Sequence, residues 1–414
     1  MEHVPQGEPG ISGFLCWLTD RIAYHGGRPV VPGTPIAECG LDSVAMLSLF
    51  GDIEEKCGSL IGPEDMWACP TVRDLAHRLV VCGTPAVGGR RIRVAFVFGG
   101  QGGQHPGMAG GLYRDSATYR ACLGRFDEML RPCLGRSVVE SALGRCPDTE
   151  DTALSQSALF AVGCALAQTL LDAGVRPVAV LGHGMGELTA AAVAGAVPFA
   201  DAARLVVLRG ASVQRLPEGG GMLAVCVGPY EAAEAAACEP GVSIGAVNAA
   251  RATVLSGTLD GLERVRDRLA RDGVLSRFLP VRYAFHSPLM EPVVPELRAA
   301  AEQFGGAVPR LPYYSAVHGR QSAEPLGAAY WAQHITSPVR FADAVREMLH
   351  RHAPTHVVEI GPRPVLTPFV RRIGGPDGPR CLPVCQGPQS DAVDLAGVLS
   401  ELDAGPLAES TVRW

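Results

Sequence analysis

The hexapeptide GHGMGE, residues 182–187, follows the apolar run VRPVAVLG (175–182) and opens a helical segment. A strand, a tight glycine-flanked turn and a helix are the parts of a nucleophile elbow, in which the turn residue stands above a sheet at the mouth of a helix. Amides at that helix end stabilise negative charge. The turn residue here is Gly184. Glycine takes a strained turn backbone with no Cβ penalty. The elbow and its capacity to hold an oxyanion can therefore survive, although no side-chain oxygen is present to attack. The same six residues also read as a plain glycine-rich turn, with His183 as a structural histidine at a helix end rather than a base. A second hydroxyl of interest is Ser43, in ECGLDSVAMLSLF. It stands where a helical run begins, and its ordinary reading is an N-cap.

Alternating apolar strands and helices must position the elbow. VAFVF (94–98) is an apolar run of strand length ending in glycines, and SALFAVGCALAQTLLDAG (157–174) reads as a mostly buried helix. With the 175–182 strand and the GELTAAAVAGA helix, these predict a parallel sheet covered on both faces. A different unit then intervenes. GMLAVCVG (221–228), the YEAAEAAAC helix, VSIGAVN (242–248), ATVLSG (252–257), the LDGLERVRDRLARDG helix and SRFLPV follow in turn. That order is a ferredoxin-like subdomain, assigned to 221–283. The large subdomain is assigned to 94–220 and 284–385. HVVEIG (356–361) is one of its last strands and PVLTPFVRRI a helix after it, and residues 386–414 are expected to form a tail or docking segment.

Ahead of these lie ISGFLCWLTDRIAYH (11–25), DSVAMLSLFGDIEEKCG and TVRDLAHRLV, the last capped near Thr71. They predict a small helical bundle over 1–85, joined by a linker at 86–93.

At 414 residues the chain has room for two or three domains. A hydrophobic content of 47% and a charged content of 19% fit a soluble globular protein. No stretch offers 18 uninterrupted apolar residues, and the N-terminus lacks the order of a secretory signal, so no membrane association is expected. Thirteen cysteines without CxxC spacing read as reduced and mostly buried, with no metal site and a cytoplasmic location. Residues 1–85 hold 11 Asp and Glu against 5 Lys and Arg, and the remaining residues hold 31 of each. This distribution argues against nucleic-acid binding. It suits a small acidic module that docks on basic protein surfaces.

GHGMGE resembles the GHSxGE signature of malonyl-CoA:acyl carrier protein transacylases, including the acyltransferase domains of polyketide and fatty acid synthases. The likeness extends over 94 to about 375. FVFGGQGGQHPGM (96–108) resembles the first-strand motif with its GQG core, SQSALFAVGCALAQTLLDAG the helix before the elbow, and AFHS (284–287) the segment bearing the catalytic histidine. PVRF (338–341) and EIGPRPVLT (359–367) resemble the closing motifs. Gly184 departs from the pattern, standing where the family has its nucleophilic serine. GLDS at 40–43 resembles the phosphopantetheine attachment motif of acyl carrier proteins, and PTVRDLAHRL (70–79) the last carrier helix. The fold implied is an all-helical carrier bundle followed by an α/β hydrolase-like parallel-sheet domain with an inserted ferredoxin-like subdomain.

The resemblance implies roles residue by residue. His286 would be general base and acid, and the amides of Gln101 and Met185 an oxyanion hole. Arg209 would grip the free carboxylate of a malonyl group. Gln156 and Asn248 would line or support the pocket. YAFH (283–286) is the selectivity segment. Phe285 leaves little room for an α-methyl group and favours malonyl, whereas Tyr283 is the residue of methylmalonyl-type segments. Ser43 would carry 4′-phosphopantetheine, installed by a phosphopantetheinyl transferase, and Asp52, Glu54 and Glu55 would offer a docking face. The expected partners are malonyl-CoA or a related acyl thioester and a ketosynthase or other polyketide synthase component.

A carrier preceding the transferase with so short a connection suggests a compact discrete protein, and monomer is the expected state. Gly184 implies that acyl transfer is lost or severely reduced. The alternatives are a non-catalytic carrier and docking scaffold, or a weak thioester hydrolase or decarboxylase assisted by His286.

Overall fold

A computed structural model describes residues 9–41, 43–57, 69–82, 92–145, 151–387, 390 and 392–404. The chain divides into two compact units, one from residues 1–90 and the other from 91–374 and 378–414.

The first unit contains helices Pro9–Gly26, Ser43–Cys57 and Val72–Cys82. Leu18 and Ile22 of the first, Leu49, Phe50 and Ile53 of the second, and Val72, Leu75 and Leu79 of the third are buried together. The near-helical spacing of these apolar positions is what lets three helices share one small core. The last helix starts on a reciprocal cap: the Thr71 hydroxyl accepts from the Asp74 amide (3.3 Å), and Asp74 Oδ2 accepts from the Thr71 amide (3.1 Å). The loop expected at GPEDMWACP (62–70) lies, apart from Cys69 and Pro70, outside the described residues.

In the second unit a six-stranded sheet has the order β10-β9-β1-β2-β7-β8, formed by Val94–Phe98 (β1), Pro177–Gly182 (β2), Tyr313–Ser315 (β7), Arg320–Ser322 (β8), His356–Ile360 (β9) and Arg380–Pro383 (β10). All pairings are parallel except β7 with β8. All five residues of β1 are buried, as expected of a central parallel strand covered on both faces. Helix Thr152–Asp172 is apolar enough by composition to cross a membrane, but most of it is buried inside the domain. It starts several residues earlier than the sequence pattern indicates, because Asp151 accepts the Leu154 amide and caps it.

The inserted unit is a separate antiparallel sheet with the order β4-β5-β3-β6, made from Gly220–Val225 (β3), Val242–Ala249 (β4), Ala252–Thr258 (β5) and Ser276–Phe278 (β6). Helices Pro229–Ala236 and Leu259–Arg271 follow β3 and β5. The sheet has its own apolar cluster, including Leu223, Val225, Leu255, Leu262 and Val265. Beyond residue 386, helix Ala392–Glu401 is part of the main fold, burying Leu395, Val398 and Leu399 in the large core. The described part of 386–414 is therefore packed as a docking segment and not as a loose tail.

Candidate functional site

The elbow joins β2 to helix Gly186–Val193. Gly184 adopts φ +52°, in the left-handed region, where a side chain costs roughly 1–2 kcal/mol. Gly186 is required by close approach, since a Cβ there would run into the Phe98 carbonyl oxygen. The turn is closed by hydrogen bonds from Gly186 N to His183 O (3.0 Å) and from Glu187 N to Gly184 O (2.9 Å). His334 Nε2 also donates to Gly184 O, at 2.9 Å. Burial and the nearby Arg209 charge push the His334 pKa down to about 3, so the ring is neutral.

His286 faces the turn. A Cβ built on Gly184 lies 3.0 Å from His286 Nε2. Nδ1 is 3.1 Å from the Ser337 carbonyl, which can only accept, so Nδ1 carries the proton and Nε2 presents its lone pair to the elbow. Burial, then the neighbouring His334, Arg209 and His183, hold its pKa well below the ordinary histidine value. A neutral imidazole with Nε2 free is the state a general base needs. His286 itself has φ +61°, a strained backbone for a side-chain-bearing residue. The His286 amide donates to Ile335 O (3.1 Å), and Ser256 Oγ donates to Phe285 O (2.6 Å), which fix this conformation. Ser256 belongs to β5, so the inserted sheet holds the loop that carries His286.

The same sheet also steadies the elbow. His183 Nε2 donates to Asn248 Oδ1 at 2.8 Å, from the end of β4. Burial lowers the His183 pKa. This hydrogen bond ties the elbow residue His183 to Asn248 of the inserted sheet.

Arg209, on helix Phe199–Gln214, is 2% exposed. Its Nη1 donates to Gln156 Oε1 (2.6 Å), and Gln156 Nε2 donates to Gln101 Oε1 (3.2 Å). Among the described residues, its Nε and Nη2 have no hydrogen-bond acceptor. Burial lowers its pKa only to about 10, so it stays cationic at neutral pH. A buried guanidinium lacking a carboxylate calls for an anionic ligand. Its carbon lies 5.4 Å from the Phe285 ring centre, and Tyr283 packs against Phe285 at 6.2 Å while pointing its hydroxyl toward Gln214 O (3.4 Å). The loop after β1 reaches the elbow as well: a Cβ on Gly100 would lie 3.4 Å from the Met185 amide nitrogen. This puts the residue before Gln101 beside one of the two amides assigned to the oxyanion hole. Thr189, the next hydroxyl along the chain, is buried with its methyl toward Gly163.

Two buried carboxyls brace these parts. Glu187 accepts from Tyr313 (2.6 Å) and from Tyr330, tying the elbow helix to β7. Burial raises its pKa to about 7, against the opposing pull of both tyrosines. Glu359, ending β9, accepts from the amides of Val365, Leu366 and Thr367 at 2.6–2.8 Å and so anchors the following loop. A surface hollow of about 880 Å³ lined by Tyr113, Asp127 and Arg131, among others, shares no residue with this site.

Residues 95–385 match the acyl transferase domain family, and residues 23–79 match the phosphopantetheine attachment site. The chain belongs to the acyl transferase family. It joins a phosphopantetheine attachment domain to an acyltransferase domain of the polyketide synthase type. It is 38% identical over 384 residues to the spectinabilin polyketide synthase system protein NorA′ of Streptomyces orinoci, which covers 90% of this chain and 10% of that protein. It is 36% identical over 317 residues to the polyketide biosynthesis protein ThaF of Burkholderia thailandensis, covering 74% of this chain and 27% of that one. The chain thus spans a minor part of these relatives. A loading acyltransferase from the avermectin modular polyketide synthase superposes with a TM-score of 0.71 at 32% identity, covering 75% of this chain and all of that one. A malonyl-CoA:acyl carrier protein transacylase from Clostridium perfringens does so at 0.67 and 25% identity, covering 75% of this chain and 97% of that one.

Ser43 is the first residue of helix Ser43–Cys57, a position where backbone amides favour a phosphodiester. Attachment of 4′-phosphopantetheine to a serine is what the matched domain provides. The acidic docking face expected after it is only partly described. Asp52 is engaged by His25 (2.6 Å) and Arg21 (3.7 Å), so it is not an unpaired charge; the side chains of Glu54 and Glu55 lie outside the described residues.

Of the residues singled out in the sequence, the second unit brings together Gly184, His286, Met185, Gln101, Gln156, Arg209, Asn248, Tyr283 and Phe285. Sequence reasoning missed His334, the Ser337 carbonyl and the Glu187–Tyr313–Tyr330 cluster. Glu187 closes the GHGMGE motif and could have been found there. His334 and Ser337 just precede PVRF, but nothing in their spacing shows that they reach the elbow.

Proposed function

We propose that the second unit binds an acyl thioester whose acyl group ends in a carboxylate, of the malonyl class, and that it cannot transfer that group through an ester intermediate. The observation that carries this reading is Gly184 at φ +52° with His286 Nε2 3.0 Å from its Cβ position. His286 faces the turn position where the resembled family has its serine, and Gly184 offers no hydroxyl there. Arg209 would receive the carboxylate on Nε and Nη2, with Gln156 holding Nη1. Phe285, buried against Arg209 and Tyr283, narrows the space beside the α-carbon and supports malonyl over methylmalonyl. The amides of Gln101 and Met185 would receive the thioester oxygen. We read the large sheet as α/β hydrolase-like and the inserted sheet, with its two helices, as ferredoxin-like.

The first unit is the carrier. A phosphopantetheinyl transferase would modify Ser43, and the attached arm supplies a thiol that holds acyl groups. Its partners would be a ketosynthase or other components of a polyketide synthase in the cytoplasm, as the polyketide synthase relatives suggest. A purely organising role, with the second unit as a docking body, is the competing reading, and the surviving carrier serine beside a missing nucleophile favours it.

The test is to install the arm on the full chain, add malonyl-CoA, and weigh the tryptic peptide containing Ser43. No self-loading is expected from the chain as it stands. Loading that depends on the second unit would overturn the loss of transfer, and failure of the arm to attach would overturn the carrier assignment.

A further inference from the structure

We infer that the second unit is a slow, carboxylate-selective thioester hydrolase in which water, activated by His286, replaces the missing serine. This rests on the proposed pocket. Its support is the arrangement around Gly184 and His286. His286 Nε2 presents a lone pair toward the turn, because Nδ1 is committed to Ser337 O at 3.1 Å. A Cβ at Gly184 would lie 3.0 Å from Nε2, so the place of a side chain at this turn is within hydrogen-bonding reach of Nε2 for a water. The elbow that would support the oxyanion is still built, held by His334 and Glu187 contacts to Gly184 O at 2.9 Å each. Arg209, buried with two unsatisfied nitrogen donors, gives the site its preference for an acyl group bearing a carboxylate.

The step balances without a further reactant. A water oxygen bonds to the thioester carbon while its proton passes to His286 Nε2. The tetrahedral adduct collapses with loss of the C–S bond, and the proton on Nε2 passes to the leaving sulfur. The products are a free dicarboxylic acid and the thiol. Oxyanion donors and binding alone sustain acceleration on the order of 10³ over water when a catalytic side chain is missing, and a positioned base adds on the order of 10² to that. The rate is therefore slow beside an intact transferase and measurable beside a blank.

The experiment uses the full chain with Ser43→Ala, so that no arm can accept the acyl group. Malonyl-CoA and acetyl-CoA are incubated separately with it, and released CoA and free acid are separated by chromatography. Malonyl-CoA is expected to be cleaved on the order of 10⁵ faster than in the protein-free blank, and acetyl-CoA much more slowly. His286→Gln should lower the malonyl rate by on the order of 10² or more. Gly184→Ala, which keeps the base and fills the turn with a methyl group, should lower it as well. Circular dichroism and a melting curve establish that each variant is folded.

Release no faster than the blank, or a rate unchanged in folded His286→Gln, overturns the hydrolase. A covalent malonyl group on residues 92–404 of the unsubstituted second unit overturns the underlying reading instead, so the two failures are separable.

Discussion

Restoring the serine is the most informative perturbation. Gly184→Ser places a Cβ 3.0 Å from His286 Nε2 on a backbone at φ +52°. The left-handed backbone costs a side-chain-bearing residue about 1–2 kcal/mol, and the imidazole must yield by a few tenths of an ångström. For a unit of this size that corresponds to a fall in Tm of roughly 1–3 °C. Against this stands the return of covalent catalysis, whose loss in serine hydrolases is on the order of 10⁶ in kcat. Even recovery of about 10³ equals about 4 kcal/mol of transition-state stabilisation, so the chemical gain outweighs the strain. Gly184→Ala is the matched control, with the same Cβ and backbone strain but no oxygen. Both variants should melt lower than the parent by similar amounts. With malonyl-CoA, only Gly184→Ser should gain a covalent malonyl group on peptide 182–187, and only it should load a carrier thiol. If folded Gly184→Ser forms no adduct, or if Gly184→Ala loads equally well, the reasoning from elbow geometry is wrong.

Three further outcomes are expected. Arg209→Ala should weaken malonyl-CoA binding by about 1.5–3 kcal/mol, roughly 10–100-fold, while leaving acetyl-CoA binding nearly unchanged, as read by calorimetry. Glu187 has its carboxyl pKa raised to about 7 by burial, so it binds a proton in the fold that the unfolded chain releases above about 4.5; its stabilising contribution is present at low pH and is lost as pH rises toward 7. Relative to Glu187→Gln, the parent should therefore lose about 3 kcal/mol between pH 4.5 and 7 in urea unfolding. The buried neutral His286 and His334 act oppositely, since the unfolded chain takes up their protons below about pH 6.5, and comparing the two proteins cancels their effect. Ser43→Ala should prevent any phosphopantetheine attachment, as read by intact mass.

The sequence made much of this architecture legible for identifiable reasons. β1 and β2 are short apolar runs ended by glycines, and the inserted βαββαβ unit shows clean alternation around the strongly amphipathic helix Leu259–Arg271. The edge of the large sheet was not legible. β7 and β8 are three residues each, too short for a periodic signal, and β7 buries tyrosines whose hydroxyls serve Glu187. The pattern after residue 386 leaves a tail and a docking segment both open, and only tertiary packing places Leu395 and Leu399 in the core. At the site, motif residues were visible because their side chains or amides do chemistry. His334 and Ser337 serve through contacts to a backbone carbonyl and from one, interactions that leave no mark on local sequence pattern.

The central claim is that the pocket is built but cannot become acylated. The most direct measurement is peptide-resolved mass spectrometry of the Ser43→Ala chain held with excess malonyl-CoA, alongside calorimetric titration of the same sample. The account predicts saturable binding that depends on Arg209 and no malonyl ester on any residue of 92–404. A stoichiometric malonyl ester within that range would contradict it.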